Sequence, residues 1–385
     1  MQNHSGLRAM PAQNRLPYRE EVMSDRVLAA LEEARDLLEG DASAALRRLP
    51  PPAALPAALR PERDFLAAEA WREKGYFGKA QALYRRSLAR IRPKEDPALW
   101  VEAALGSASG LRSVGDHDGA AKHLARAKEL AKSTGILRPY AGRLELESAL
   151  VDRAAERYAA ALKVLRPRLR KALARREWRE AAFLCWAIGG CERFRGRLKD
   201  SEDAFRKSLS CAAKAGDPIG RGYALFGLGG TTRVRGKLAE AEKLYANAGR
   251  LFAATDDDFA KAYAFCGRAN ALRQQGRLAE AEKSYRKSHA IYSQLGDPVD
   301  LAYVDWGLGE ILLKRGQIKA ALPPLMKADA GFAKGKETRG EVLAKMSLAR
   351  ALHALGKTSR AEKLFGAAVK MARAARIHTH LEFYT

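Results

Sequence analysis

The sequence predicts an all-α, right-handed α-solenoid of about eight helix-turn-helix repeats, and three observations predict it. The first is a glycine register. Gly196, Gly236, Gly276, Gly316 and Gly356 recur at one fixed spacing, and Gly75 and Gly115 share it. The interval from Gly115 to Gly196 is close to twice that spacing and leaves room for one degenerate copy. A fixed period of this length marks a stack of two-helix units. The second is an alternation of small and bulky residues after each glycine. Five residues on stands Ala80, Ala120, Ser201, Ala241, Ala281, Ala321 or Ala361. Four further on stands Tyr84, Leu124, Phe205, Tyr245, Tyr285, Leu325 or Phe365. Three beyond that is Ser or Ala again, a helical spacing that lets two antiparallel helices pack closely. The third is punctuation. Asp96-Pro97, Asp217-Pro218 and Asp297-Pro298 all fall at the same place in the register, just over half a period past the glycine. Asp accepts a backbone N–H at a helix start and Pro fits the first helical position.

Taken in chain order, residues 1–17 read as a disordered N-terminus and residues 18–60 as an N-terminal helix with a Pro-rich linker. The segment 18–39 has the pattern of one amphipathic helix, and five prolines fall within the fifteen residues that follow Leu46. Residues 61–181 hold the first repeats, with the third copy degenerate at 142–181. Pro167 is expected to kink or end the second helix of that copy. Residues 182–381 form the regular C-terminal array, followed by a tail at 382–385. Gly216 and Gly296, just before two Asp-Pro pairs, suit the left-handed end of a preceding helix. No polar capping helix is expected after the eighth repeat, so the last helix is open to a partner or a second copy.

The repeat resembles the tetratricopeptide repeat family in a 40-residue variant. Leu228-Gly229 with Ala241 and Tyr245, and Leu308-Gly309 with Ala321 and Leu325, carry the family's Leu-Gly and Ala-x3-Phe positions. The sequence departs elsewhere. Cys185, Leu225, Phe265, Asp305 and Lys345 fill the leading Trp position, and Glu192, Thr232, Leu272, Leu312 and Leu352 fill the Tyr position. The resemblance implies binding of peptides or proteins and no catalysis. It implies that first helices line a concave groove. A chaperone-type carboxylate clamp finds only Asn270 in a matching position.

Composition excludes several classes. No apolar run reaches the roughly 18 residues of a membrane span, and residues 1–21 lack a signal-peptide core, so a cytoplasmic location is the expectation. The four cysteines (Cys185, Cys191, Cys211, Cys266) form no CxxC pair and the seven histidines do not cluster with them, so no structural zinc or other metal site is expected. They read as buried small apolar residues. His378 and His380 read as exposed tail residues. Residues 227–237 imitate a phosphate loop, but five residues separate Gly230 from Gly236 and Leu238 stands where a hydroxyl must hold magnesium. No cofactor and no enzymatic activity are expected.

The charge is uneven. Residues 1–70 hold 9 basic and 11 acidic residues, whereas residues 71–385 hold 60 and 34. On the first helices, positions 13, 10, 6 and 3 before the glycine point into the groove under the family geometry. They supply Trp186, Arg193, Tyr223, Phe226, Arg233, Tyr263, Asn270, Arg273, Tyr303, Trp306 and Glu310, with Arg72 and Arg112 in early copies. Tyr, Trp and Arg dominate binding hot spots. The aromatics serve equally well as wedges between helices, and the arginines are expected at the surface. Gly227, Gly267 and Gly307 are expected to leave room for a ligand backbone. A basic rim (Arg195, Arg197, Arg235, Lys237, Arg277, Arg315 and Lys357) flanks the turns. The leading expectation is a scaffold binding an acidic or extended peptide or protein in the groove. The alternatives are a sensor or regulatory module acting in trans, and sequence-tolerant RNA or polyanion binding through the basic surface. No membrane partner is expected, and self-association through the last repeat is open.

Overall fold

In the computed structural model, residues 25–38, 40–375 and 377 are described, and every regular element among them is helical. The chain divides into two compact units, Met1–Lys171 and Ala172–Thr385. Among the described residues no helix is long and apolar enough to cross a membrane.

The first unit opens with α1 (Asp25–Leu37) and α2 (Ala42–Arg48). The expected linker is two short 3-10 turns at 52–54 and 57–59, held by the buried side chain of Leu55. Three helix pairs follow: α3 (Arg60–Glu73) with α4 (Phe77–Arg90), α5 (Pro97–Ser113) with α6 (His117–Ser133), and α7 (Leu137–Ala154) with α8 (Tyr158–Ala174). The second unit has five pairs: α9 (Trp178–Phe194) and α10 (Leu198–Lys214), α11 (Pro218–Val234) and α12 (Leu238–Ala253), α13 (Asp258–Gln274) and α14 (Leu278–Leu295), α15 (Pro298–Lys314) and α16 (Ile318–Lys334), α17 (Thr338–Ala354) and α18 (Thr358–Ala374). The eight pairs stand where the glycine register puts them. Residues 1–24 and the tail from His378 lie outside the described residues.

Local chemistry accounts for the boundaries. Asp96, Asp217 and Asp297 cap α5, α11 and α15, each accepting from a backbone N–H two or three residues on. Asp116 and Asp257 cap α6 and α13 in the same way. Pro167 does not end or kink the chain into a new element. α8 runs through it to Ala174, and α16 likewise runs through Pro323 and Pro324. Each proline forfeits one backbone hydrogen bond, and flanking packing carries the helix across: Leu162 and Leu165 are buried before Pro167, and Ala321 and Leu325 bracket the second pair.

The degenerate third pair keeps the turn that its neighbours build on glycine. Gly236 turns at φ 79, and the equivalent residue between α7 and α8 is Glu156 at φ 61. Arg176 and Lys336 take left-handed turns between pairs, at φ 58 and 54. A side chain there costs roughly 1–2 kcal/mol against glycine, partly offset by the extra chain entropy that glycine loses. Glu156→Gly is expected to stabilise the fold by about 1 kcal/mol, read as a higher denaturant midpoint at unchanged slope.

Packing between pairs follows one joint. At four joints the bulky residue nine past the turn glycine inserts against the first helix of the next pair, where a glycine nine before the next turn receives it. Phe205 lies against Gly227, Tyr245 against Gly267, Tyr285 against Gly307 and, in the first unit, Tyr84 against Gly106. A Cβ on Gly307 would stand 2.2 Å from the Tyr285 ring. Three residues on, Ser87, Ser208 and Ser288 each donate to a first-helix carbonyl of their own pair, those of Pro61, Ala182 and Ala262, at 2.7–2.9 Å. The small residues of the repeat are thus a hydrogen-bonded seam as well as a close-packed one.

Candidate binding groove

The first helices of the second unit set aromatic and charged residues in rows, because each pair repeats the last at a constant offset. The residue ten before one turn meets the residue thirteen before the next. Phe226 stacks on Tyr263 with centroids 3.7 Å apart, and Trp186 meets Tyr223 edge-on at 6.1 Å. Two tyrosines extend the link. The Tyr223 hydroxyl donates to the Asp257 carboxylate and that of Tyr303 to Glu337, both residues at the next first-helix N-terminus, at 2.7 and 2.8 Å. Tyr223, Phe226 and Trp306 are buried, and Trp306 Nε1 donates to Ser347 Oγ at 3.0 Å. These three are wedges between neighbouring first helices. Trp186, Tyr263 and Tyr303 remain half-buried.

The arginine row departs from expectation. Arg193 is half-buried, but Arg233 and Arg273 are buried, Arg273 completely. Each reaches toward the following pair. The Arg193 guanidinium occupies the space above Gly230, where a Cβ would meet it at 2.1 Å. Arg233 donates to Gln274 Oε1 at 3.2 Å. Arg273 faces Glu310 at 3.7 Å, both side chains fully buried, and lies 4.8 Å above the Trp306 ring. Glu310 also receives Arg350 at 3.2 Å. The early copies show the same habit: Arg72 meets Glu69 and the Tyr84 hydroxyl, and Arg112 meets Glu147 at 2.8 Å. A guanidinium is driven inward because it can satisfy several planar donors at once while stacking on a ring. Surface exposure would give up both.

Two further expectations are corrected. Gly227, Gly267 and Gly307 do not open space for a ligand, since the rings of Phe205, Tyr245 and Tyr285 already fill it. Asn270 is engaged on both ends: Oδ1 accepts from the Tyr285 hydroxyl at 2.8 Å and Nδ2 donates to the Cys266 carbonyl at 3.0 Å.

The rim residues Arg195, Arg197, Arg235, Lys237, Arg277, Arg315 and Lys357 are all exposed. Most face carboxylates. Arg195 and Arg197 lie beside Glu192, Lys237 beside Glu240, Arg277 beside Glu280, and Arg235 and Arg315 reach back to Glu202 and Glu282 of the preceding pair. Such pairs are worth at most about 1 kcal/mol each, but they remove the single-sign character of the rim.

The structure adds two residues that the repeat positions did not flag. Arg339, at the start of α17, lies 4.5 Å from the Phe194 ring at the end of α9, and Arg193 lies 4.8 Å from the same ring. This contact joins the first and fifth pairs of the unit, so no reading of adjacent repeats exposes it. The Glu310–Arg350 pair was legible, since opposite charges occupy the same position one repeat apart.

All four cysteines are buried, as expected. Burial pushes the thiols of Cys185 and Cys266 up to about 12, which leaves them protonated and poor nucleophiles at neutral pH. Among the described residues no group of three or more His, Cys, Asp or Glu is placed to hold a metal.

Residues 258–334, the α13–α16 segment, match the family described as Tetratricopeptide repeat. No curated protein matches the sequence. Among solved structures, the chain resembles a Rap protein complexed with Competence and Sporulation Factor, with a TM-score of 0.67 at 12% identity over 91% of this chain and 99% of that one. It also resembles NprR in complex with its cognate peptide NprX, with a TM-score of 0.58 at 15% identity over 75% and 83% of the two chains. The apo form of RapI aligns with a TM-score of 0.55 at 11% identity over 72% of this chain. At these identities the likeness is one of fold.

Proposed function

We propose that this chain, whose repeats are tetratricopeptide repeats, is a non-catalytic scaffold that takes an extended peptide segment into the groove of its second unit. The observation that carries the reading is the set of first-helix side chains that keep a partly accessible face, Trp186, Arg193, Phe194, Tyr263 and Tyr303, together with the exposed Arg350. Flat rings and guanidinium groups suit a peptide that offers apolar side chains and carbonyl or carboxylate oxygens. NprR, similar in fold, was solved with its cognate peptide, which supports a peptide as the class of ligand.

The test is a peptide array probed with wild type and with Trp186→Ala/Arg350→Ala. Trp186 is half-buried and Arg350 is 47% exposed at its side chain, so the variant should keep its helical content and melting behaviour. Losing a central aromatic anchor and a cation is expected to weaken binding by about 2 kcal/mol or more, roughly thirtyfold. A folded variant that keeps the wild-type peptide profile and affinity removes the groove assignment.

A further inference from the structure

The second helices of the two units differ sharply in charge. In the first unit, α4, α6 and α8 together hold 13 Lys and Arg against 2 acidic residues, Asp118 and Glu129. In the second unit, α10, α12, α14, α16 and α18 hold 16 against 9. Per helix, the excess is more than twice as great in the first unit. α4 and α8 contain no acidic residue at all.

The excess faces solvent. Arg85, Lys122, Lys128, Lys163, Arg170 and Lys171 are exposed. The helices that carry them are tied to the first-helix layer beneath: Arg86 of α4 binds Asp64 of α3, Arg126 of α6 lies 4.8 Å over Trp100 of α5, and Arg168 of α8 donates to the Gly142 carbonyl of α7 at 2.5 Å. Other cations of the same helices therefore hold the platform, and the exposed ones project from it.

We propose that this outward face of the first unit is a docking surface for duplex nucleic acid, contacted through its phosphates. α4 and α6 each pack against the first helix of the next pair, and packed helices lie about 8–10 Å apart, so the three second helices span on the order of 20 Å or more. A duplex presents one phosphate charge per about 1.7 Å of axis, about a dozen over that distance. Of the aromatic rings on α4, α6 and α8, Phe77 and Tyr84 are buried and Tyr158 is half-buried, so unpaired bases find little to stack on. Val114 is its only exposed large apolar residue among the described residues, too little for insertion into a lipid surface. Binding is sequence-tolerant, because phosphate contacts position without reading bases. It rests on the first unit alone and is independent of the groove.

The experiment uses the full chain and a duplex of about 24 base pairs, titrated between about 50 and 150 mM salt. With about six phosphate contacts, affinity falls by roughly 400-fold over that range. In Lys128→Gln/Lys163→Gln/Arg170→Gln/Lys171→Gln, the slope of log affinity against log salt becomes shallower by about three to four. An equal loss of charge on the second unit, Lys319→Gln/Lys363→Gln/Lys370→Gln/Arg373→Gln, leaves the slope nearly unchanged. Absence of binding at the lowest salt overturns the proposal, as does an equal effect of the two variants, which reduces it to bulk charge. Tighter binding to the single strand, to polyglutamate, or to vesicles containing phosphatidylserine also overturns it, by naming a different partner.

Discussion

Gly307→Val is expected to lower the stability of the second unit by about 3 kcal/mol, near 10 °C in melting temperature for a body of this size. Two effects compete at this position. Valine is a better helix former than glycine by a few tenths of a kcal/mol, so in open space the substitution would stabilise α15. Here the Cβ alone would fall 2.2 Å from the Tyr285 ring and 2.4 Å from its hydroxyl. The ring cannot swing away, because Tyr285 is fully buried and its hydroxyl is held by Asn270. Steric overlap therefore wins. A second substitution that shrinks the ring, Tyr285→Leu, is expected to recover at least half of the loss. The last joint of the array supplies the precedent, since Leu325 replaces the ring where Ser347 replaces the glycine. Calorimetry on the two single variants and the double gives the coupling directly. A Gly307→Val protein that melts at or above wild type would mean that the ring does not occupy this space.

The second large effect is electrostatic. Glu310→Leu is expected to cost about 3–5 kcal/mol, because it leaves the Arg273 charge buried without its carboxylate. Arg273 and Glu310 are both inaccessible to solvent, and the ring of Trp306 closes one face of the guanidinium. Removing both charges in Arg273→Met/Glu310→Leu is expected to bring stability back to within about 1 kcal/mol of wild type, since a buried pair repays its own desolvation and little more. Arg350→Ala, which removes the exposed partner of the same carboxylate, is expected to cost less than about 1 kcal/mol. Urea denaturation of wild type and the three variants checks the set. Equal losses in Glu310→Leu and Arg350→Ala would show that the exposed arginine is the true partner.

The fold was legible because its signals are local and repeated. Glycine turns, capping aspartates and the small-bulky-small pattern each follow from the chain within one pair, and the turns and the pattern agree in seven copies. Pro167 does not end α8, because helix-breaking is a local cost that packing along the helix absorbs. The groove was legible only in part. Trp186, Tyr263 and Tyr303 keep an accessible face, whereas Arg233, Arg273 and Glu310 sink between pairs, a choice made by partners a whole repeat away in the chain. Phe194 and Arg339 lay beyond reach, since three further pairs separate them in sequence and only the coiling of the unit brings them together. The rim residues are exposed, and Glu202 and Glu282 answer two of them from the preceding pair, which no reading of one repeat alone reveals.

The ring-to-glycine joint also gives the array a direction. In the second unit each joint runs from a bulky residue, the knob, on one second helix to a small residue, the socket, on the next first helix, so the two ends of that unit are unlike. Phe365 of α18 occupies the knob position of the last pair and is 51% exposed, one of three large apolar side chains so exposed among the described residues. Whatever seats on it through the same joint must present a first helix with a small residue at the right height. A mirror-like pairing of two copies through Phe365 would set knob against knob. A second copy offers no such small residue, since the socket position of its first pair is Leu66, itself buried, so head-to-tail growth of the chain on itself is not open to this joint.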